Sequence, residues 1–292
     1  MLQQLLLNGI VAGSAYSLVA LGFALIYRTV RFFHFAHGAI YTIGAFLAYT
    51  LVRSFDMHIG AAFFLGTVGS GIIGAGLDRV IYQPLRRERA PNFVLLVVSI
   101  GAFIFLQNLV QLIYGAEIRI LRVGNVEEGH HMLGAVITDV QINILLVVLL
   151  TVAILSLIVQ KTKIGKAIRA VSDDAGAASI VGINPEKAIL VAVFLGSAIA
   201  GLAGALASLE TNLQPTMGLD AVLKGIIASI VGGIGSIPGA VLGGLLVGIA
   251  ENLGISAIPS AWKDMISFLF LIGFLLLRPG GILGVRIDRV RV

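Results

Sequence analysis

The chain has 292 residues, of which 58% are hydrophobic and only 12% are charged, and its mean hydropathy is +1.02. A soluble domain of this length with so few charges would expose large apolar patches, so the composition excludes an ordinary soluble protein and indicates a membrane protein with several crossings. The net charge of +5 does not by itself indicate a nucleic-acid-binding protein, because basic loops beside an anionic lipid leaflet account for it. The absence of cysteine excludes disulfides and thiolate metal sites.

Nine apolar segments predict an all-α bundle of about eight or nine transmembrane helices, forming one domain over residues 1–292. The first segment has no basic n-region and is expected to be a retained span rather than a signal peptide. Glycines and Pro238 interrupt the seventh and eighth, so residues 220–254 are expected to cross twice or to combine one crossing with a re-entrant hairpin. The nine segments are residues 5–27, 36–52, 59–82, 93–114, 141–160, 186–209, 220–236, 238–254 and 263–278.

The basic residues of the loops predict the orientation of these helices. Fifteen of the 20 Lys and Arg residues fall on one side of a chain with nine crossings. Because positively charged loops stay in the cytoplasm, this side and the C-terminus are predicted to be cytoplasmic. The fifteen residues are Arg28, Arg31, Arg79, Arg86, Arg87, Arg89, Lys161, Lys163, Lys166, Arg169, Lys187, Arg278, Arg286, Arg289 and Arg291.

A polar segment, residues 161–187, separates two charge-free apolar runs. Its apolar residues recur at steps of four and three, which predicts one amphipathic helix. Gly182 is expected to close this helix, and Asn184-Pro185-Glu186 has the residue order that opens the next one. The pattern leaves two interpretations open: an interfacial helix that anchors the protein to lipid headgroups, or a contact for a soluble partner. The apolar stripe consists of Ile164, Ile168, Val171, Ala175 and Ala178, opposite Lys163, Lys166, Arg169 and Asp173.

Enzyme signatures are missing from the sequence, so the chain is predicted not to be an enzyme and to need no cofactor. A phosphate-binding loop is excluded because Gly165-Lys166 is followed by Ala167. Energy for transport therefore has to come from a partner or from an ion gradient. His130 and His131 in the external loop 115–140 are interpreted as solvated residues rather than metal ligands, and the loop as a landing surface for an external partner, a lid or an unstructured segment.

Ionisable residues within the apolar segments are few and lie near segment ends. Asp78 is interpreted as an interfacial anchor next to Arg79, and Glu251 as a solvated helix end. Lys224 follows Asp220 by four residues, which predicts a salt bridge along one helix. The lack of a carboxylate at mid-membrane depth disfavours a gradient-driven transporter. The complete set is Asp78, Lys224, Glu251, His34 and His37.

The glycine-rich segment before and after Pro238 predicts a break between two helices. Glycines three or four residues apart, among them Gly232, Gly235 and Gly239, allow helix backbones to pack closely. The functional alternative is that the interrupted backbone lines the translocation path.

Three motifs in order make the sequence similar to the permeases of branched-chain amino acid ABC importers, of the subunit type without an N-terminal extension. The likeness covers both halves of the chain. The motifs are Phe35-Ala36-His37-Gly38; the polar segment with Arg169-Ala170, Asp174, Ala178-Ser179 and Gly182-Ile183-Asn184; and Lys224 followed by Gly232-Gly233-Ile234-Gly235-Ser236-Ile237-Pro238-Gly239-Ala240.

This resemblance implies that residues 161–184 contain a coupling helix that docks into a cytoplasmic ATPase. It implies a homologous second permease, two ATPase subunits and a periplasmic solute-binding protein as partners in a bacterial inner membrane, besides lipid and without nucleic acid. The implied substrates are leucine, isoleucine and valine; urea, amides, sugars and nucleosides remain alternatives, as do a gradient-driven transporter and a non-transporting scaffold. Expected ATPase-coupling residues are Lys166, Arg169, Asp173, Asp174, Ala178 and Gly182, and candidate pathway or gating residues are His37, Gly38, Lys224, Gly232, Gly233, Gly235, Pro238 and Gly239.

Overall fold

The computed structural model describes residues 1–121, 129–132, 134–256 and 258–284. Helices make up most of this part of the chain, which confirms the predicted all-α class; a short antiparallel hairpin in the external loop was not predicted. The elements are α1 (Leu2–Val30), α2 (Ala36–Ser54), α3 (Ile59–Leu77), α4 (Gln83–Arg87), α5 (Asn92–Tyr114), β1 (His130–Met132), β2 (Ala135–Ile137), α6 (Asp139–Lys161), α7 (Lys163–Asp173), α8 (Ala175–Ile180), α9 (Pro185–Glu210), α10 (Met217–Gly232), α11 (Ile237–Gly254) and α12 (Lys263–Leu277).

Each of the nine predicted crossings is helical. In the described part of the chain, seven helical segments are long and apolar enough to cross a membrane. The two predicted crossings outside this set are α2 and α10; α10 has 16 residues and extends about 24 Å, less than the roughly 30 Å of a bilayer core. The seven segments are Leu2–Val30, Ile59–Arg87, Asn92–Tyr114, Asp139–Lys161, Pro185–Glu210, Ile237–Gly254 and Ser260–Leu277.

The two most buried spanning helices, α1 and α9, form the centre of the bundle. Around them, α5, α6 and α12 keep most of their apolar side chains on the outside. An outward apolar face is what lipid contact requires, so these three helices form part of the periphery.

Glycines allow α1 to pack directly against α11, which runs antiparallel to it. A side chain on Gly248 would overlap the backbone of Gly13, and one on Gly244 would overlap the backbone of Ser17. Close approach of this kind is the usual role of small residues spaced by four in membrane helices. The close-packing interpretation of the glycine-rich segment is therefore confirmed for α11.

The basic loops predicted to share one side converge at one end of the bundle. Arg31 at the end of α1 donates to the carbonyl of Ser172 in α7 at 2.6 Å, and Gly235 packs beside Arg28. We call this the α7–α8 end and the opposite one the outer end. Arg286, Arg289 and Arg291, the last three of the basic residues predicted to share this side, lie outside the described residues, as does Arg122.

Asp78 is not the interfacial anchor that the sequence predicted. It is buried in a π-helical turn, Asp78–Tyr82, that continues α3, and both of its carboxylate oxygens accept from Arg86, at 2.6 and 3.0 Å. Arg86 also donates to Glu186 at 2.9 Å. The network joins α4 to the start of α9, a relationship between distant segments that local sequence does not reveal.

Candidate functional site

The polar segment predicted as one amphipathic helix contains two helices, α7 and α8, separated at Asp174. Asp174 has an extended backbone (φ −154°, ψ 111°), and its side chain accepts from the backbone N–H of Ala177 at 2.9 Å. The single-helix prediction was wrong because a short carboxylate side chain can replace helical hydrogen bonding and start a new helix.

The predicted apolar stripe contacts the spanning helices in part. Ile168, Val171 and Ala178 are buried, and the last two belong to a cluster with residues of α1 and α9. Ile164 and Ala175 are exposed, which corrects the prediction for both. The turn at Asp174 interrupts the regular period before Ala175, whereas Ile164 is exposed in the first turn of α7.

Gly182 and Asn184 form the predicted helix boundary. Gly182 has φ +84°, its N–H donates to Ser179, and the N–H of Ile183 donates to Ala178, at 3.1 and 3.0 Å. This is the hydrogen-bond pattern of a Schellman C-cap, which favours glycine. The side chain of Asn184 accepts from the N–H of Lys187 at 3.1 Å and begins α9, as predicted.

The residues expected to contact an ATPase all lie at the α7–α8 end, but they differ in surroundings. Lys166 is exposed, and the carboxylate of Asp173 is 77% exposed at 3.8 Å from Arg28. Arg169 donates to the carbonyl of Val159 at the end of α6. Arg169, Asp174, Ala178 and Gly182 therefore hold the shape of the segment, whereas Lys166 and Asp173 face outward.

Two apolar residues at the tip of this segment were missed by sequence reasoning. Ile180 is 87% exposed and Val181 is 74% exposed. Their position outside the predicted stripe and directly before Gly182 was the available signal. Exposed branched side chains on a polar loop are a typical surface for contact with another macromolecule.

A cavity of about 640 Å³ opens near the outer end of the bundle. Its lining comes from the first half of α1, the start of α6, the end of α9 and the start of α10, with contributions from α11 and α12. The volume lies within the roughly 300–1,000 Å³ typical of small-molecule sites. The apolar lining residues include Val19, Ile144, Leu206 and Met217, and the charged ones are Glu210, Asp220, Lys224, Lys263 and Asp264.

Lys224, which lines the cavity, does not form the predicted salt bridge with Asp220. Its ammonium pairs with the carboxylate of Glu251 in α11, lies 2.8 Å from Asp264, and donates to Ser267 at 3.2 Å. The prediction was wrong because residues of α11 and α12 surround the ammonium and compete with the local partner.

Glu251 is fully buried, so its interpretation as a solvated helix end was also wrong. Its carboxylate accepts from the hydroxyl of Tyr16 at 2.9 Å, accepts from Ser267 and lies 3.8 Å from Lys263. Burial without these partners would be strongly unfavourable, so Lys224 and Glu251 form an obligatory pair.

Asp220 differs from Lys224, Lys263 and Asp264, the charged cavity residues that form ion pairs. It is exposed and lines the cavity one helical turn from Lys224. Among the described residues, no ion pair includes Asp220. The i, i+4 spacing places both side chains on the same face of α10.

His37 and Gly38 lie beside the inner end of the cavity. Nε2 of His37 is 3.2 Å from the carbonyl oxygen of Val19, a cavity residue. A side chain on Gly38 would overlap the carbonyl of Gly218 in α10. Both residues therefore support walls of the cavity from behind, although neither is among the described residues that line it.

The remaining candidate pathway residues form the turn between α10 and α11. Gly232 ends α10, Gly233 and Gly235 have φ +113° and +81°, and Gly239 donates its N–H to Ser236 at 3.2 Å. Pro238 lies in the first turn of α11. The predicted helix break is confirmed; among the described residues that line the cavity, none belongs to this turn.

The external loop covers part of the outer end. Arg119 pairs through its backbone with Leu213, and its guanidinium lies over the rings of Tyr49 and Tyr114. Nε2 of His130 is 2.7 Å from Asp139. Glu127 and Glu128, which flank these histidines in the sequence, lie outside the described residues.

Comparison with known proteins identifies the family. Residues 5–275 match the model of the branched-chain amino acid transport system permease component. The chain is 37% identical to the high-affinity branched-chain amino acid transport system permease protein BraD of Pseudomonas aeruginosa and 34% identical to LivH of Escherichia coli K12, each over 96% of this chain and 95% of the relative. It is 30% identical to a probable branched-chain amino acid transport permease protein LivH of Methanocaldococcus jannaschii, over 97% of this chain and 93% of the relative.

No solved structure matches the chain significantly. The family model extends over nearly all spanning helices, both motif-bearing halves and the α7–α8 segment. The chain therefore belongs to the family of branched-chain amino acid transport system permease components.

Proposed function

We propose that this chain is the membrane permease subunit of an ATP-driven importer for branched-chain amino acids. The observation that carries the proposal is the α7–α8 pair, which rests on the bundle by one face and presents charged and apolar side chains by the other. Because the chain has no phosphate-binding loop, hydrolysis of ATP is assigned to two separate ATPase subunits.

Contact with an ATPase is assigned to the exposed side of α7 and α8. Lys166 and Asp173 supply charge there, and Ile180 and Val181 supply the apolar tip. Arg169, Asp174, Ala178 and Gly182 act as positioning residues, because their hydrogen bonds, burial or backbone conformation maintain the two short helices.

Movement of α7 would reach the cavity through α1. Arg28 and Arg31 at the end of α1 contact Asp173 and Ser172 of α7, and Val19 of the same helix lines the cavity. A shift of α7 driven by the ATPase can therefore alter the wall of the cavity without passing through a flexible loop.

The remaining partners follow from the same proposal. A homologous second permease would complete the translocation path, and a periplasmic solute-binding protein would deliver solute to the outer end, with the chain in the bacterial inner membrane. His37, Gly38 and Lys224 are proposed as gating or pathway residues. Gly232, Gly233, Gly235, Pro238 and Gly239 are proposed to let α10 and α11 pack and turn closely.

The decisive experiment co-expresses the chain with the neighbouring permease, ATPase and binding-protein subunits and measures ATPase co-purification and ATP-driven leucine uptake in proteoliposomes. The double variant Ile180→Glu/Val181→Glu is expected to lose both ATPase co-purification and leucine uptake, because it places two negative charges on the apolar tip. Phe55→Glu is the matched control, since Phe55 is 68% exposed at the outer end, and it should retain the ATPase.

Two results would contradict the proposal. ATPase that remains bound to the Ile180→Glu/Val181→Glu variant would place the contact elsewhere. Leucine flux that persists without ATP or the ATPase would support a gradient-driven transporter instead.

A further inference from the structure

Lys224 and Asp220 do not form a salt bridge with each other, which leaves both side chains able to bind a charged solute in the cavity. Lys224 is held by Glu251, Asp264 and Ser267, so Asp220 faces the cavity with its charge uncompensated by an ion pair among the described residues. We propose that the wall of α10 is a transit site for a zwitterionic α-amino acid, in which Asp220 binds the ammonium and Lys224 binds the carboxylate. This inference rests on the proposed transport function.

The spacing of the two residues suits such a ligand. Asp220 and Lys224 lie one turn apart on the same helix face, about 6 Å along the axis. The ammonium and carboxylate of an α-amino acid are attached to one carbon, so their partners have to lie side by side. A cation and an anion that were paired with each other could not bind both groups at once.

Lys224 can accept a ligand carboxylate without losing its structural role. Of its two carboxylate partners, Glu251 is fully buried, whereas the side chain of Asp264 is 72% exposed. A solute carboxylate that replaces Asp264 exchanges one anion for another, so the buried pair with Glu251 remains intact. Lys263, which also lines the cavity, adds a second positive charge beside this position.

The apolar lining residues supply a place for the solute side chain. Val19, Ile144, Leu206 and Met217 come from four different helices and line the same cavity as Asp220 and Lys224. A branched aliphatic side chain would bury its surface there while the charged groups remain on α10. The site therefore favours α-amino acids with apolar side chains over uncharged solutes such as sugars.

The test uses the complete complex in proteoliposomes and a thiol introduced into the cavity. The chain has no cysteine of its own, so Met217→Cys gives one labelling position on it; Thr216→Cys, also on the cavity wall, replaces it if the first variant does not assemble. The rate of reaction with a membrane-impermeant maleimide is measured with L-leucine, leucinamide or 4-methylpentanoate at equal concentration. Only L-leucine, which carries both charges, should slow the reaction.

Asp220→Asn is then combined with the cysteine variant. Loss of the ammonium partner should raise the leucine concentration for half-maximal protection roughly tenfold. Asp264→Asn removes the same charge from the same cavity but should shift that concentration in the opposite direction, to a lower value, because it removes the carboxylate that competes with the solute for Lys224. ATP-driven uptake by the cysteine variant without the second substitution is measured in parallel.

Several results would overturn the inference while the transport function stands. One is ATP-driven uptake by a complex whose introduced cysteine is not labelled. Another is a leucine concentration for half-maximal protection that Asp220→Asn and Asp264→Asn change equally, or that Asp220→Asn raises by less than about twofold. A third is protection of the cysteine by 4-methylpentanoate that equals the protection by L-leucine. If assembled wild-type complexes show no ATP-driven uptake and leucine does not protect the introduced cysteine from labelling, the transport function itself would be contradicted.

Discussion

The ammonium of Lys224 in α10 pairs with the fully buried carboxylate of Glu251 in α11, the helix that follows it in the chain. Lys224 lines the cavity, and Ser267 of α12 contacts both members of the pair. The pair therefore determines which charges the cavity can offer to a solute.

Removal of Lys224 should destabilise the protein strongly. Lys224→Met leaves the carboxylate of Glu251 buried without its closest cation, which is expected to lower the free energy of unfolding by about 3–5 kcal/mol. The measurement is thermal unfolding of the purified protein in detergent. Asp264→Asn removes a largely exposed partner of the same lysine and should change the free energy of unfolding by only about 0–1 kcal/mol.

The double variant Lys224→Met/Glu251→Met separates loss of the pair from loss of packing. It should recover part of the stability lost in Lys224→Met, since no unpaired buried charge remains. A double variant as unstable as the sum of the two single variants would show that the residues do not act as a pair.

Arg86 should be essential for the attachment of α4 to α9. Its guanidinium contacts Asp78 and Glu186, and the Asp78 side chain is 2% exposed, so Arg86→Met leaves a buried carboxylate unpaired and should destabilise the protein by about 3–5 kcal/mol. Arg87→Met at the exposed neighbouring position should change stability by no more than about 0.5 kcal/mol. Equal thermal unfolding of the two variants would argue against a buried ion pair.

Gly248 should not tolerate a side chain. An added methyl group would overlap the backbone of Gly13, so Gly248→Ala should force α1 and α11 apart and lower stability by about 1–3 kcal/mol. Gly101→Ala is the control, because a methyl group at Gly101 on the outer face of α5 meets open space. Thermal unfolding in detergent compares the two, and an equal response would contradict close packing at this crossing.

Gly182 should be needed for the shape of the α8 tip. Its φ of +84° is unfavourable for residues with a Cβ atom, so Gly182→Ala should weaken the cap by about 1–2 kcal/mol. Gly182→Asn should be better tolerated, because asparagine adopts this conformation more readily. Hydrogen–deuterium exchange of residues 175–183 reports the change, and faster exchange in Gly182→Ala than in Gly182→Asn is expected.

Much of the architecture follows from the amino-acid sequence without reference to tertiary contacts. The apolar segments, the basic loops that share one end, the Gly182 and Asn184 boundary and the break before Pro238 were all predicted. These features depend on residues that are close together in the chain: a run of apolar side chains makes a spanning helix, and a glycine or an N-cap residue ends or begins one.

Tertiary structure alone decided the partners of the charged residues. The surroundings of Lys224 and Glu251 were mispredicted because helices distant in sequence bring Asp264 and Tyr16 to them. Asp78 was mispredicted because Arg86, eight residues later, turns back to it and is itself held by the distant Glu186. Which faces of two helices meet depends on side-chain packing throughout the bundle, and a buried charge takes the best-placed partner rather than the nearest one in the chain. The cavity, and the lack of an ion pair to Asp220 within the described part of the chain, arise from that competition between helices.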